Sequence, residues 1–156
     1  MPKVCELGGG ENPELHPNVD YRAMPSVDIV ANLEEPLPLL SNDYDYVLSK
    51  FVIEHMSWRK VNGFIKEIHR ILRVGGRVVI ITANLKEQAR LIATKEVWDG
   101  TESALVFGGQ EYEGNYHKCG FSSELLVKLF REVGFSSVVA YPLPICLTDM
   151  ILEGVK

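Results

Sequence analysis

Short runs of contiguous apolar residues alternate along this chain with stretches in which apolar positions recur every three or four residues. Lys3 to Leu7 reads as a strand that ends in three glycines, Gly8-Gly9-Gly10. Asn18-Val19-Asp20 is a short extended piece, and Val27 to Leu33 is a further apolar run. Tyr44 to Leu48 follows the turn-prone Ser41-Asn42-Asp43. Val61, Phe64, Ile65, Ile68, Ile71 and Leu72 then fall at helical spacing and make one continuous apolar face. Ser57 can cap that helix and Gly75-Gly76 can stop it. Arg77 to Thr82 is dense in β-branched residues without alternation, the pattern of a strand buried on both faces. Asn84, with Glu87 three residues on, opens a helix to about Trp98 in the manner of a capping box. Asp99 to Gly120 reads as a long loop rich in glycine and tyrosine. Ser122 caps another amphipathic helix, carrying Leu125, Leu126, Leu129, Phe130 and Val133, which Gly134 stops. Val138 to Tyr141 and Thr148 to Val155 close the chain as strands.

Strands alternating with helices predict an α/β sheet with right-handed crossovers. Ligands of such sheets bind beyond the carboxyl ends of the strands, near the switch in strand order. The residues to watch are therefore Glu6 to Gly10, Asp20, Asn32-Leu33, Ser49-Lys50-Phe51 and Ala83-Asn84.

Composition narrows the classes. At 156 residues the chain is about one domain. With 46% hydrophobic and 24% charged residues, it can bury a core without a metal or disulfide. A net charge of -5 disfavours nucleic acid as a partner, because that affinity rests on cations that neutralise phosphates. Cys5, Cys119 and Cys146 are odd in number and form no CxxC pair, so no metal site is read from them and they are expected as reduced thiols in a cytoplasmic protein. No apolar run approaches a membrane span, and Met1-Pro2-Lys3-Val4 does not open a signal peptide.

The glycine turn after the first strand lets a ligand approach the backbone closely. A dinucleotide fingerprint would need a third glycine and a helix whose N-terminus faces the pyrophosphate. Here the third position is Pro13, and the two prolines between Asn12 and Pro17 leave no room for a helix. No Gly-Lys-Ser/Thr follows, so a P-loop is excluded. What remains suits a nucleoside without a phosphate. Asp20 can accept both ribose hydroxyls, Asn32 can meet an adenine edge, and Leu33 and Phe51 can cover adenine or methionine faces.

These stretches resemble class I S-adenosylmethionine-dependent methyltransferases, in particular small members of the type 11 kind. Lys3-Val-Cys-Glu-Leu-Gly-Gly-Gly is similar to their first motif, and Asn18-Val19-Asp20 to the strand whose acid holds the ribose. Val27-Asp-Ile-Val-Ala-Asn-Leu-Glu-Glu-Pro-Leu-Pro resembles the segment that frames adenine. Asp43 to His55 resembles the fourth-strand motif, and Phe64 to Ile80 the helix, glycine turn and fifth strand. His117 to Ser122 and Glu132-Val-Gly-Phe are similar to the later helix pattern. Asn32 departs from the Asp that the family often has there, and the first connection is shorter than usual. The resemblance implies a Rossmann-like methyltransferase sheet, mostly parallel with an antiparallel last strand, and helices on both faces. It implies one domain over residues 1–156, lacking an N-terminal helical cap.

By the same resemblance the cofactor is S-adenosylmethionine, bound by Glu6, Gly8, Gly10, Asp20, Asn32, Leu33, Lys50 and Phe51. Methyl transfer requires alignment of donor and acceptor and removal of a proton where the acceptor needs it. His117 and His55 are the candidate bases, with a neutral-range reference pKa. No metal cluster is read from the sequence. The expected acceptor is a small molecule or glycan. The alternative is a non-catalytic S-adenosylmethionine-fold module serving a partner, and a nicotinamide-dependent reductase is the weaker third reading. A homo-oligomer or partner chain is a further way to close the pocket. Acceptor choice is expected to come from Tyr112 to Lys118, from Asn12 to Pro17, or from such a chain.

Overall fold

The computed structural model describes residues 1–97 and 99–156. Seven strands form one sheet in the order β3-β2-β1-β4-β5-β7-β6. They are β1 (Val4–Leu7), β2 (Asn18–Asp20), β3 (Ile29–Val30), β4 (Tyr44–Lys50), β5 (Leu72–Ala83), β6 (Ser136–Leu143) and β7 (Cys146–Val155). Neighbours from β3 through β5 pair in parallel, and β7 runs antiparallel to both β5 and β6. The mostly parallel sheet with an antiparallel last strand is thus what forms. The strand order reverses between β1 and β4, so the crevice beyond their carboxyl ends is the natural ligand site.

Among the described residues four helices accompany the sheet: α1 (Val61–Ile71), α2 (Leu85–Ala93), α3 (Thr101–Phe107) and α4 (Ser123–Val133). Helix α1 buries Val61, Phe64, Ile65, Ile68 and Ile71, each contributing roughly 1.5–3 kcal/mol of transfer free energy. It packs against α4, whose Phe130 is fully buried and meets the Phe135 ring at 5.1 Å. Under these helices lies one face of the sheet, built from in-register Cys5, Val47 and Val78, and Leu7, Val19, Ile80 and Leu152, all buried. Residues of opposite parity on β5 and β7, Val79, Ile81, Ile151 and Glu153, are only half-buried. Val139 and Tyr141 beside them on β6 are exposed.

Several boundaries differ from the pattern reading, each for a local reason. The run Val27 to Leu33 contributes only Ile29–Val30, because Asp28 turns its carboxylate onto the Asn18 N–H (2.6 Å) and Asn32 forms a turn. Helix α1 starts at Val61 without a side-chain cap; Ser57 instead gives its N–H to Glu34 (2.7 Å). Gly75-Gly76 lies within β5, where the pairing with β4 shifts register between Tyr44 and Tyr46. Gly75 has φ +79, and a Cβ on Gly76 would stand 2.8 Å from the Arg73 carbonyl. The glycines therefore make a bulge rather than a helix stop. Asn84 caps α2 as expected, with Oδ1 accepting from Glu87 N–H, but the helix ends at Ala93, and Trp98 lies outside the described residues. Helix α3 occupies part of the stretch read as loop; buried Glu102 pairs with Lys95 at its start. Ser122 caps α4 and Gly134, at φ +116, ends it. Leu125 faces outward, at 43% exposure.

Among the described residues no helix is long and apolar enough to cross a membrane. All three cysteines are free; burial pushes the Cys5 thiol up to about 12.

Candidate active site at the carboxyl ends of the strands

The segment from Leu7 to Pro17 contains no helix, as its prolines dictate. Its glycines are held by side chains instead. Gly8 has φ +80, and a Cβ there would overlap the Val52 methyl groups. Gly10 has φ +59 and gives its N–H to Asp20 Oδ2 at 3.1 Å. Asn18, fully buried, accepts the Gly9 N–H at 3.0 Å and donates to the Gly10 and Ser26 carbonyls. The turn is thus fixed in an open, left-handed course that brings Gly8 to the cavity wall.

A cavity of about 550 Å³ opens beside this turn, within the range of small-ligand sites. Gly8, Asp20, Asn32, Leu33 and Phe51 all line it, so five expected residues converge. Asp20 is 4% exposed and also accepts the Arg22 N–H at 2.9 Å. Asn32 turns Oδ1 back onto the Glu34 N–H (3.0 Å), which leaves its amide NH₂ as the group free to donate. Phe51 stands at φ +53, an uncommon conformation for a bulky residue. Its N–H is tied to the Ile81 carbonyl at 2.7 Å, and the ring remains 47% exposed.

Three expected binding residues are placed elsewhere. Glu6 is fully buried; Oε2 accepts the N–H groups of Glu14 and Leu15 at 2.6 and 2.9 Å. Lys50 bridges Glu14 at 2.6 Å and Glu6 at 3.5 Å. Together they pin the helix-free connection beneath the turn. Gly10 shapes the turn through Asp20 rather than lining the cavity wall.

The loop after α3 covers the cavity. Tyr21 gives its hydroxyl hydrogen to the Glu113 carbonyl at 2.8 Å. The Arg22 guanidinium lies 4.5 Å from the centroid of the Tyr112 ring, a cation–π distance. Lys118 and Cys119 donate their N–H groups to the Glu54 carbonyl at 2.9 and 3.2 Å. Tyr112, Gly114 and Lys118 thereby become cavity residues.

These ties bring His55 and His117 together, with ring centroids 5.0 Å apart and edge-to-face. His55 belongs to a 3-10 turn, Ile53–His55, that follows β4. Its Nδ1 lies 3.2 Å from the Tyr116 carbonyl, and its ring lines the main cavity. His117 and Glu54 line a second cavity of about 220 Å³ behind it. Burial lowers both histidine pKa values, and His117 lowers that of His55 further. Burial raises the Glu54 carboxyl to about 7. The other histidines lie apart: His16 pairs with Asp28 at 2.6 Å, and His69 packs edge-on to Phe135.

The pattern reading missed Asn18, Arg22 and Glu54. Asn18 sits one residue before an apolar Val19 in a three-residue strand, and nothing in its spacing distinguishes it from a surface amide. Glu54 carried a signal: an acid directly beside a candidate histidine, after a strand that ends in the ligand crevice.

Residues 12–80 match the family model described as a methyltransferase domain. An uncharacterised protein of Escherichia coli, YafE, is 30% identical over 62 residues, which cover 40% of this chain and 29% of that protein. An S-adenosylmethionine-dependent methyltransferase from Thermotoga maritima superposes with a TM-score of 0.68 at 18% identity, over 100% of this chain and 83% of that one. The 1,6-didemethyltoxoflavin-N1-methyltransferase of Burkholderia thailandensis, solved with its substrate and S-adenosylhomocysteine, gives 0.62 at 16%, over 99% and 71%. At such identities the structural likeness establishes the fold.

Proposed function

We propose that this chain is a class I S-adenosylmethionine-dependent methyltransferase that binds S-adenosylmethionine in the 550 Å³ cavity and methylates a small molecule or glycan, a reading supported by its fold and its matched domain. The observation that carries this reading is the convergence of Gly8, Asp20, Asn32, Leu33 and Phe51 on one cavity at the strand switch.

The residues fit the group. A Cβ at Gly8 would overlap the Val52 methyl groups, so glycine is what lets the turn run this close to the cavity wall. Asp20 offers a carboxylate at the end of β2 for two ribose hydroxyls. The Asn32 NH₂ is a donor, which suits a ring nitrogen of adenine rather than its amino group. Leu33 and Phe51 supply apolar faces. The segment that follows the turn, Leu7 to Pro17, carries no helix, which fits a ligand without a pyrophosphate.

When bound, the cofactor supplies a methyl group on a sulfonium sulfur, already a good leaving group. The chain's own task is alignment, exclusion of water and receipt of a proton. The loop held by Tyr21 and Glu54 covers the cavity, His55 lies in its wall, and the cluster of Glu54, His55 and His117 is the candidate for handling the acceptor's proton. A cytoplasmic setting accords with the free thiols. The half-buried strand face of β5, β6 and β7 is where a second copy or partner chain would sit in the non-catalytic module reading.

The test is transfer of a labelled methyl group from S-adenosylmethionine to a panel of hydroxylated, amine and sugar acceptors by the purified chain. Turnover that disappears in Asp20→Ala supports the enzyme. Cofactor binding without turnover across the panel favours the module.

A further inference from the structure

The buried carboxylate of Glu54 has an unfilled oxygen. Oε1 accepts a long bond from Ala83 N–H (3.4 Å), while Oε2 is buried without a well-formed hydrogen bond, the Thr82 hydroxyl lying beside the carboxylate. Glu54 itself is 1% exposed. A lone buried carboxylate oxygen is costly unless a proton or cation completes it. One carboxylate oxygen of Glu54 and one ring nitrogen each of His55 and His117 lie within 4.8 Å of one another.

His55 is held as a ligand would be. With Nδ1 of His55 donating to the Tyr116 carbonyl, Nε2 keeps its lone pair free. A ring nitrogen anchored on a backbone carbonyl is the usual support of a metal-bound imidazole. Lys118, 3.8 Å from Glu34, is the neighbouring cation, and it is directed to that acid.

We propose that Glu54, His55 and His117 form a binding site for a divalent metal ion of the zinc class, set in the wall between the two cavities. Two imidazoles and one carboxylate suit zinc, cobalt(II) or iron(II) better than magnesium or calcium, which prefer all-oxygen sets. Ligand atoms around a tetrahedral ion stand roughly 3.3 Å apart with bonds of ~2.1 Å. Closure from within 4.8 Å therefore needs side-chain atoms to move together by up to about 1.5 Å. His55 lines the main cavity, and Glu54 and His117 line the smaller one beside it. In the methyltransferase reading this favours acceptors with an ionisable hydroxyl, whose proton an adjacent cation makes easier to remove. The metal site itself stands on the three side chains and does not require that reading.

The test uses the full chain, stripped with chelator and free of S-adenosylmethionine. Calorimetric titration with Zn²⁺ is expected to show one ion per chain. Co²⁺ is expected to give visible ligand-field bands without a near-ultraviolet thiolate band, which excludes Cys119. Glu54→Gln and His117→Ala should each weaken Zn²⁺ tenfold or more, whereas His16→Ala should not. Absence of saturable binding, a thiolate spectrum, or affinity unchanged in both variants would overturn the site. Should either variant fail to fold by circular dichroism, the Co²⁺ spectrum of the unmodified chain decides. Because S-adenosylmethionine is titrated separately, failure of the cofactor reading would leave this result standing.

Discussion

The Asp20 carboxylate holds the Gly10 N–H at 3.1 Å, so the proposed ribose ligand also fixes the glycine turn. Its second oxygen takes the Arg22 N–H at 2.9 Å. Asp20→Ala should therefore weaken S-adenosylmethionine at least tenfold while costing about 1–3 kcal/mol of stability, the range for an orphaned buried donor. Asp20→Asn retains an acceptor and should lie between. Parallel binding and denaturant titrations separate the two effects.

Gly8→Ala meets two obstacles, φ +80 and the Val52 side chain. The left-handed conformation alone costs an L-residue about 1–2 kcal/mol, and the overlap adds to it. The double substitution Gly8→Ala with Val52→Ala should recover only the steric part, leaving a thermal midpoint between those of Gly8→Ala and the parent.

Tyr21→Phe deletes one hydroxyl and with it the bond to the Glu113 carbonyl. About 0.5–1.5 kcal/mol of loop closure should be lost. Faster amide exchange is expected over residues 108–118, with the core of α1 unchanged. The cofactor should leave faster. Equal exchange in the two proteins would show that the loop is held by other contacts.

Arg70 donates from Nε and Nη2 to the two oxygens of Glu67, and Leu37 N–H adds a third bond at 2.8 Å. The Arg70 bonds first, then that of Leu37, hold the Glu67 carboxyl below the usual glutamate range. A depressed folded pKa stabilises the fold above the unfolded value near ~4.3. That contribution fades as pH falls through the folded value. Glu67→Gln should cost about 1 kcal/mol at neutral pH, and the gap should shrink in acid. Urea melts at both pH values would show a constant gap if Glu67 were not responsible.

The α1 stripe, the Ser122–Gly134 bracket and the β-branched run of β5 were legible because periodicity and caps are local signals. Asp20, Asn32 and Leu33 were placed by one topological rule, that ligands gather beyond strand ends. The Gly75-Gly76 bulge was not legible, since two glycines serve a helix stop and a strand irregularity equally well. Nor was the role of Glu6, whose partners Glu14 and Leu15 are backbone groups in an irregular loop. His55 and His117 carry no shared spacing; only the fastening of the loop at Glu54 and Tyr21 brings them into contact.

Calorimetric titration of the unmodified chain tests the proposed nucleoside site between Gly8 and Asn32 most directly. S-adenosylmethionine and S-adenosylhomocysteine should each bind one per chain at micromolar affinity (~8 kcal/mol), and NAD should give no heat of binding. Binding of NAD with no response to either adenosyl compound would contradict it.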